Sequence, residues 1–257
     1  MYDNTKLIPL TQFTKLCTLL PTPRQKKRGR KRLSQGSLLN GILQVLVNDV
    51  AWERIADCGA SPTSCWRYFR ELQRRNKLHL IFNALSNQLT DITMCSSDTT
   101  TTTSFNFKQM TGWDGKHKKI GTKISLLTDM TGLPAAVTFA KGNTADVRLL
   151  PVHLKQTTGR RKKIINLDKG YTSIEMRRSL RQSGTYVNME TRTGDYRHKR
   201  GPHFKLKEQE YKTRFNIERT NGWIKSFRHI RTRRDYLPAM FKAFVYLALI
   251  IILIRQT

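Results

Sequence analysis

Apolar residues along this chain keep helical spacing first, then cluster and alternate as in strands, then return to helical spacing. In the first stretch Leu38, Leu39, Ile42, Val45 and Leu46 repeat at the 3.6-residue period behind Ser34 or Ser37, either of which suits an N-cap. Trp52, Ile55 and Ala56 predict a second, short helix. After the turn CGASP at 58–62, Ser61 or Thr63 would cap a third helix with Cys65, Trp66, Phe69 and Leu72 inward. A further apolar helix lies between Leu78 and Leu89. Helix, glycine-bearing turn, helix is the form of a helix-turn-helix, and Arg67, Arg70, Arg74 and Arg75 suit phosphate contacts from its last member.

The pattern then changes. Residues 91–104, DITMCSSDTTTTTS, are β-branched and predict a strand with Asp98 near its end. Residues 105–119 read as a polar, basic loop. Ile124, Leu126 and Leu127 form one strand and Ala136, Val137 and Phe139 another, with turn chemistry at 129–134 between them. A helix capped by Thr144 is predicted over 144–156, a strand over 163–168, a helix over 172–182 and a strand over 184–190. Residues 191–208 read as a basic loop. The chain ends with a helix over 211–225, a basic turn, and an apolar helix from Met240. This order predicts an α/β fold, a mixed sheet flanked by helices with an N-terminal all-α, helix-turn-helix-like region. The implied boundaries are a basic arm at 1–33, a helical region at 34–89 and a mixed-sheet domain at 90–257.

Charge narrows the function. Lys and Arg total 47 against 18 Asp and Glu, a net +29. Such an excess repels itself unless a polyanion neutralises it, and nucleic acid is the leading partner. The run PTPRQKKRGRKRL at 21–33 fits a DNA-tracking arm. Cys17, Cys58, Cys65 and Cys95 lack zinc-site spacing and read as reduced thiols of a cytosolic protein. The N-terminus has no signal-peptide pattern, and the apolar run 243–254 is short of the roughly 20 residues a membrane helix needs. The expectation is a cytoplasmic protein with no membrane partner. No Walker or nucleophile-elbow motif is present.

Scarce acids make each one informative. On the wheel of the helix at 211–225, Ile217, Ile224 and Phe227 mark the buried stripe. Tyr211, Arg214, Glu218 and Lys225 fall on the side away from it, within roughly one sixth of a turn at about 100° per residue. Asp98 and Asp168 each sit toward a strand end, where α/β sheets gather their ligands. Three gathered carboxylates would repel one another, and divalent cations reverse that penalty. Oxygen-only ligands favour two Mg²⁺ (or Mn²⁺) ions, a pair suited to phosphodiester displacement.

At this point the chain resembles a known family. Tyr211, Arg214, Glu218 and Lys225 fit a Y-(2)-R-(3)-E-(6)-K pattern, and DKGY at 168–171, GTK at 121–123, Asn143 with Asp146, and FRHIRTRRD at 227–235 fit with it. Together they resemble a DDE transposase with an RNase H-like fold, of the bacterial insertion-sequence group five. The resemblance implies that Asp98, Asp168 and Glu218 ligate the metals. It implies that Tyr211, Arg214, Lys225, Lys169, Arg219 and Lys123 hold DNA phosphates, and that the N-terminal helices recognise terminal inverted repeats. It further implies hydrolysis at the element's ends, attack of the freed 3′-OH on double-stranded target DNA, action as a homo-oligomer on paired ends, and a place at the bacterial nucleoid. Asp98 stands in a threonine run rather than the usual DST context, with His117 well downstream, and Asp91 is its alternative. Thr172 stands where relatives carry Asp, and Ser125 where they often carry His. Asp114, Asp129 and Asp146 read as turn or capping residues. Two other functions fit the same residues: a catalytically silent DNA-binding protein, and a nuclease that cuts without joining.

Overall fold

The computed structural model describes residues 7–22, 32–105, 107–190 and 205–255. The basic run at 21–33 and the basic loop at 191–208 lie largely outside the described residues. The chain divides into two compact units, residues 1–85 with 223–257 and residues 86–222.

The N-terminal helices follow their sequence signals closely. Helix α1 is Leu10–Leu19, α2 is Gln35–Asn48, α3 is Pro62–Arg74 and α4 is Lys77–Leu89. The Ser34 hydroxyl accepts the Ser37 N–H at the start of α2, and Ser61 accepts the Ser64 N–H at the start of α3. Pro62, with no N–H to orphan, occupies the first turn of α3. The helix expected at Trp52 is a single 3₁₀ turn, Trp52–Arg54. Asp57 and Gly59 take positive φ just beyond it, which ends any helical ladder there.

The second unit is built on a mixed sheet. Its strands are β1 (Met94–Ser104), β2 (Gly112–Asp114), β3 (Lys119–Asp129), β4 (Pro134–Lys141), β5 (Ile164–Leu167) and β6 (Tyr186–Met189). β1 and β3 pair antiparallel, as do β3 with β2 and β3 with β4. β5 joins β1 in parallel, and β6 joins β5 in parallel. Its helices are α5 (Leu150–Gln156), α6 (Ile174–Gln182), α7 (Glu208–Lys212) and α8 (Phe215–Ser226). The mixed sheet with flanking helices is as expected. Three local expectations change. Strand β2 occupies part of the stretch read as loop. Thr144 caps nothing, because a 3₁₀ turn at Asp146–Arg148 precedes α5 and Pro151 sits in that helix's first turn. The helix expected over 211–225 breaks at Thr213 and Arg214.

That break has a polar cause. Period-two alternation gives β5 and β6 an apolar face, Ile165, Leu167, Val187 and Met189, which joins Cys95, Leu127, Tyr171 and Leu180 in the core. The other face carries Asn166 and Asn188. The Asn166 amide donates to the Glu210 carbonyl at 2.9 Å and to the Thr213 hydroxyl at 3.1 Å. The Asn188 amide donates to Asn166 and to the Lys207 carbonyl, both at 2.9 Å. Thr213 in turn donates to the Glu210 carbonyl at 2.7 Å. Two buried asparagines therefore fasten α7 across one face of the sheet, and the chain restarts as α8.

Glycine is forced where three segments of this unit meet. A Cβ on Gly121 would lie 2.4 Å from the Thr102 carbonyl, and one on Gly142 would lie 2.3 Å from that of Gly112. Gly121→Ala is therefore expected to destabilise by roughly 1–3 kcal/mol, since the pairing of β1 with β3 must shift. Urea unfolding monitored by circular dichroism would check this, and an unchanged midpoint would refute the close approach.

Helix α9 (Arg228–Arg231) and helix α10 (Pro238–Ile254) complete the first unit. Helix α10 is apolar and buried along most of its length, with Lys242 and Tyr246 part-exposed. Phe244 stacks on Phe69 at 4.2 Å between centroids, with Trp52 against both. Among the described residues no helix is long and apolar enough to cross a membrane.

Candidate active site

Parallel pairing sets two acids side by side. The last rung of β1 with β5 joins Ser97 to Leu167, and the next residue on each strand is Asp98 and Asp168. Neighbouring strands lie about 4.8 Å apart, so the two backbones present their carboxylates as neighbours. Asp98 is thus in the middle of a long strand rather than near its end, because β1 continues to Ser104 against β3. It follows the last rung of the parallel pairing with β5, Ser97 to Leu167. Alternation puts Asp98 and Asp168 on the same face as Asn166, the face that α7 crosses.

Three hydrogen bonds fasten α8 to the turn between β3 and β4. The Asn216 amide donates to the Met130 carbonyl at 2.7 Å, the Arg219 guanidinium to Thr131 at 2.7 Å, and the Thr220 hydroxyl to Gly132 at 2.5 Å. Asp129 shapes that turn, accepting from the Thr131 and Leu133 N–H groups. So docked, α8 brings the Asn221 amide to Asp98 at 2.9 Å. Asn221 lies one turn beyond Glu218 on the same helix face. Sequence reasoning missed it, although its spacing of three from Glu218 was a usable signal.

Glu218 itself is 44% exposed and pairs with Arg214 at 3.1 Å. Arg214 is the electrostatic hub. Its guanidinium lies 5.6 Å from the Tyr211 ring centroid, and it feels Tyr211, Glu218, Asp168 and Asp98 together. Burial would lower its pKa, and these negative groups raise it instead. Burial also dominates Asp98, pushing it up to about 6 against the pull of the Thr99 N–H, Arg214 and Lys116. Asp98 therefore lacks a full counter-charge. Asp168 accepts its neighbour's N–H, from Lys169, at 2.8 Å.

The remaining residues divide by what they touch. The Tyr211 hydroxyl donates to the Leu167 carbonyl at 3.4 Å, and Lys169 is exposed beside Asp168. Lys123 is 11% exposed and bonded to Asp146 at 2.6 Å and to the Thr144 carbonyl at 2.8 Å. Arg219 holds the hairpin turn. These two cations are thus engaged with the protein. Lys225 follows Glu218 two turns later on α8, within the other unit. Arg67 and Arg70 are exposed on one face of α3, with Arg70 5.0 Å above the Trp66 ring. Asp91, the alternative to Asp98, accepts from the Thr93 N–H and hydroxyl in the turn before β1. Ser125 has a histidine after all: the fully buried His153 of α5 places its Nε2 2.8 Å from the Ser125 hydroxyl.

Oxygen donors are the chemistry this site offers, and two adjacent carboxylates, one short of counter-charge, fit a hard divalent cation. The Asn221 amide nitrogen is spent on Asp98, while its carbonyl oxygen is buried without a hydrogen-bond partner. Among the described residues no three acid, histidine or cysteine side chains converge closely enough to form a complete metal cage.

Residues 74–253 match the family described as the transposase DDE domain, and residues 9–82 match one described as a candidate transposase of the IS4/5 family. The chain is similar to a protein of Burkholderia cepacia described as a candidate transposase for insertion sequence element IS402. The two are 29% identical over 136 residues, covering 49% of this chain and 60% of that relative. The fold is similar to that of the piggyBac transposase in its synaptic complex with hairpin DNA, with a TM-score of 0.55 at 13% identity. That match covers 100% of this chain and 75% of the other.

Proposed function

The chain belongs to the transposase DDE-domain family, and we propose that it cuts DNA at the ends of its own insertion element and joins the freed 3′-OH ends to target DNA. The observation that carries this reading is the register that sets Asp98 beside Asp168, with Asn221, one turn beyond Glu218 on α8, donating to Asp98. Asp98, Asp168 and Glu218 would hold two Mg²⁺ or Mn²⁺ ions. Such ions stabilise the charge of the attacking and leaving oxygens in phosphodiester displacement.

The chain's own residues supply the rest. Arg214 lies beside all three acids and would pass its charge from Glu218 to a DNA phosphate once metal neutralises the carboxylates. Tyr211, packed against Arg214, fixes the guanidinium plane, and Lys169 presents a cation beside Asp168. Lys225 would take another DNA phosphate. Arg67 and Arg70 on the third helix would contact the backbone of the terminal repeats, in the helical DNA-binding domain at 34–89. The protein would act in the bacterial cytoplasm as a homo-oligomer holding two element ends.

Incubation of the protein with its element ends, Mg²⁺ and a target plasmid tests the reading. Joined product that vanishes in Asp168→Ala is expected. Cut ends that are never joined would reassign the chain as a nuclease, and binding without cutting as a silent DNA-binding protein.

A further inference from the structure

The turn between β2 and β3 carries more built structure than a loop tip needs. Asp114 at its base is 3% exposed. One of its oxygens accepts the N–H groups of Lys116 at 3.0 Å and His117 at 3.2 Å. The other accepts the Thr101 hydroxyl from β1 and meets His117 Nδ1 at 2.9 Å. Burial works against its charge, yet these donors hold Asp114 down to about 2, so it stays ionised at any working pH. The turn it organises is open to solvent: Gly115, Lys116, His117 and Lys118 are all exposed, and Trp113 is 57% exposed. Lys118 completes the turn at a positive φ of 49°.

A solubilising tip would need no such frame, and this chain already carries a net +29. A buried, ionised carboxylate tied to a neighbouring strand instead fixes the backbone of the turn from which Lys116 and Lys118 project. Fixed cations bind an anion with less entropic loss than free ones. The tip also lies beside the site. Thr101 is three residues beyond Asp98 on β1, about 10 Å along an extended strand and on its opposite face. Lys116 is near enough to Asp98 to favour its ionised form.

We propose that the β2–β3 turn is a DNA-backbone clamp, in which Lys116 and Lys118 bind phosphates flanking the one that is cut and Asp114 is the positioning residue that holds them there. The assignment rests on the transposase reading for the identity of the ligand as DNA. The exposed Trp113 indole offers a stacking surface beside the clamp for the same strand.

The test measures binding of a short random-sequence duplex over a range of salt, using the full chain. In Lys116→Ala/Lys118→Ala the slope of log K against log salt is expected to flatten by about 1.8, since each phosphate that a lysine ceases to neutralise removes about 0.9. Lys116→Arg/Lys118→Arg should restore it, because only charge at a fixed place is required. Asp114→Asn, checked for an unchanged circular dichroism spectrum, should give part of the flattening with both lysines present. An unchanged slope in the double alanine variant overturns the clamp. Binding and slope changes as expected, but with no Mg²⁺-dependent cutting by the unmodified protein, would uphold the clamp and remove the transposase chemistry. No binding by the unmodified protein would overturn both.

Discussion

Asp98→Asn is expected to abolish strand cutting while raising the melting temperature of the metal-free protein. The stability half follows from burial. The pKa of Asp98 is raised to about 6, chiefly by desolvation. Its folded value exceeds its unfolded one, so the folded state holds the extra proton and stability falls as pH rises from the ordinary carboxylate range through about 6. At neutral pH the ionised carboxylate costs the fold roughly 3 kcal/mol. Asn removes that cost and keeps an oxygen to accept from Asn221 and from the Thr99 N–H. A gain on the order of 5 °C is expected, largest above pH 6 and absent near pH 4.

The catalytic half runs the other way. A neutral amide is a poor ligand for a hard cation, so several kcal/mol of charge stabilisation would be lost, a rate loss of at least about a thousandfold. Mg²⁺ distinguishes the two effects. It should raise the melting temperature of the unmodified protein by binding the folded state, and leave the variant's unchanged. Equal Mg²⁺ shifts in both proteins would mean that Asp98 ligates nothing.

The second large effect belongs to the first unit. His229 is 5% exposed and lies between two carboxylates, with Nδ1 2.8 Å from Asp49 and Nε2 2.9 Å from Asp235. Burial opposes its charge, but the hydrogen bonds and charges of Asp235 and Asp49 prevail and raise its pKa. Arg234 holds the second oxygen of Asp49 at 2.8 Å. His229→Leu would leave two half-buried carboxylates facing each other and is expected to destabilise by about 3–5 kcal/mol. Its pH signature is specific. A histidine whose folded pKa is raised contributes fully below its ordinary range, and that contribution is lost as pH rises through the folded value. The unmodified protein should therefore lose stability above the ordinary histidine range, and His229→Leu should lose less over the same window. Parallel pH profiles in the two proteins would show that the imidazole is not the charged member of the network.

That network also explains why FRHIRTRRD at 227–235 was legible as a motif but not as a function. Its His229, Arg234 and Asp235 are structural, since they close onto Asp49 at the end of α2. Arg233 beside them is fully buried and donates to the Asp235 and Tyr236 carbonyls. Spacing alone cannot separate residues that bind DNA from residues that hold a corner, because both favour Arg and His at fixed intervals.

What the sequence determined by itself is what depends on local chemistry and period. Helical spacing and Ser caps placed α2 and α3, and β-branched runs placed β1, β3 and β4. The tertiary structure decided everything that depends on pairing between distant segments. Parallel register, not strand length, made Asp98 the neighbour of Asp168. Two asparagines on one sheet face broke the helix expected over 211–225, and docking on the β3–β4 turn brought Asn221 to Asp98. Lys123 and Arg219, read from sequence as phosphate ligands, also bond acceptors 23 and 88 residues away. The physical reason is common to all of these. A residue's own type and period fix its local conformation, but its hydrogen-bond partner is fixed only when the sheet closes.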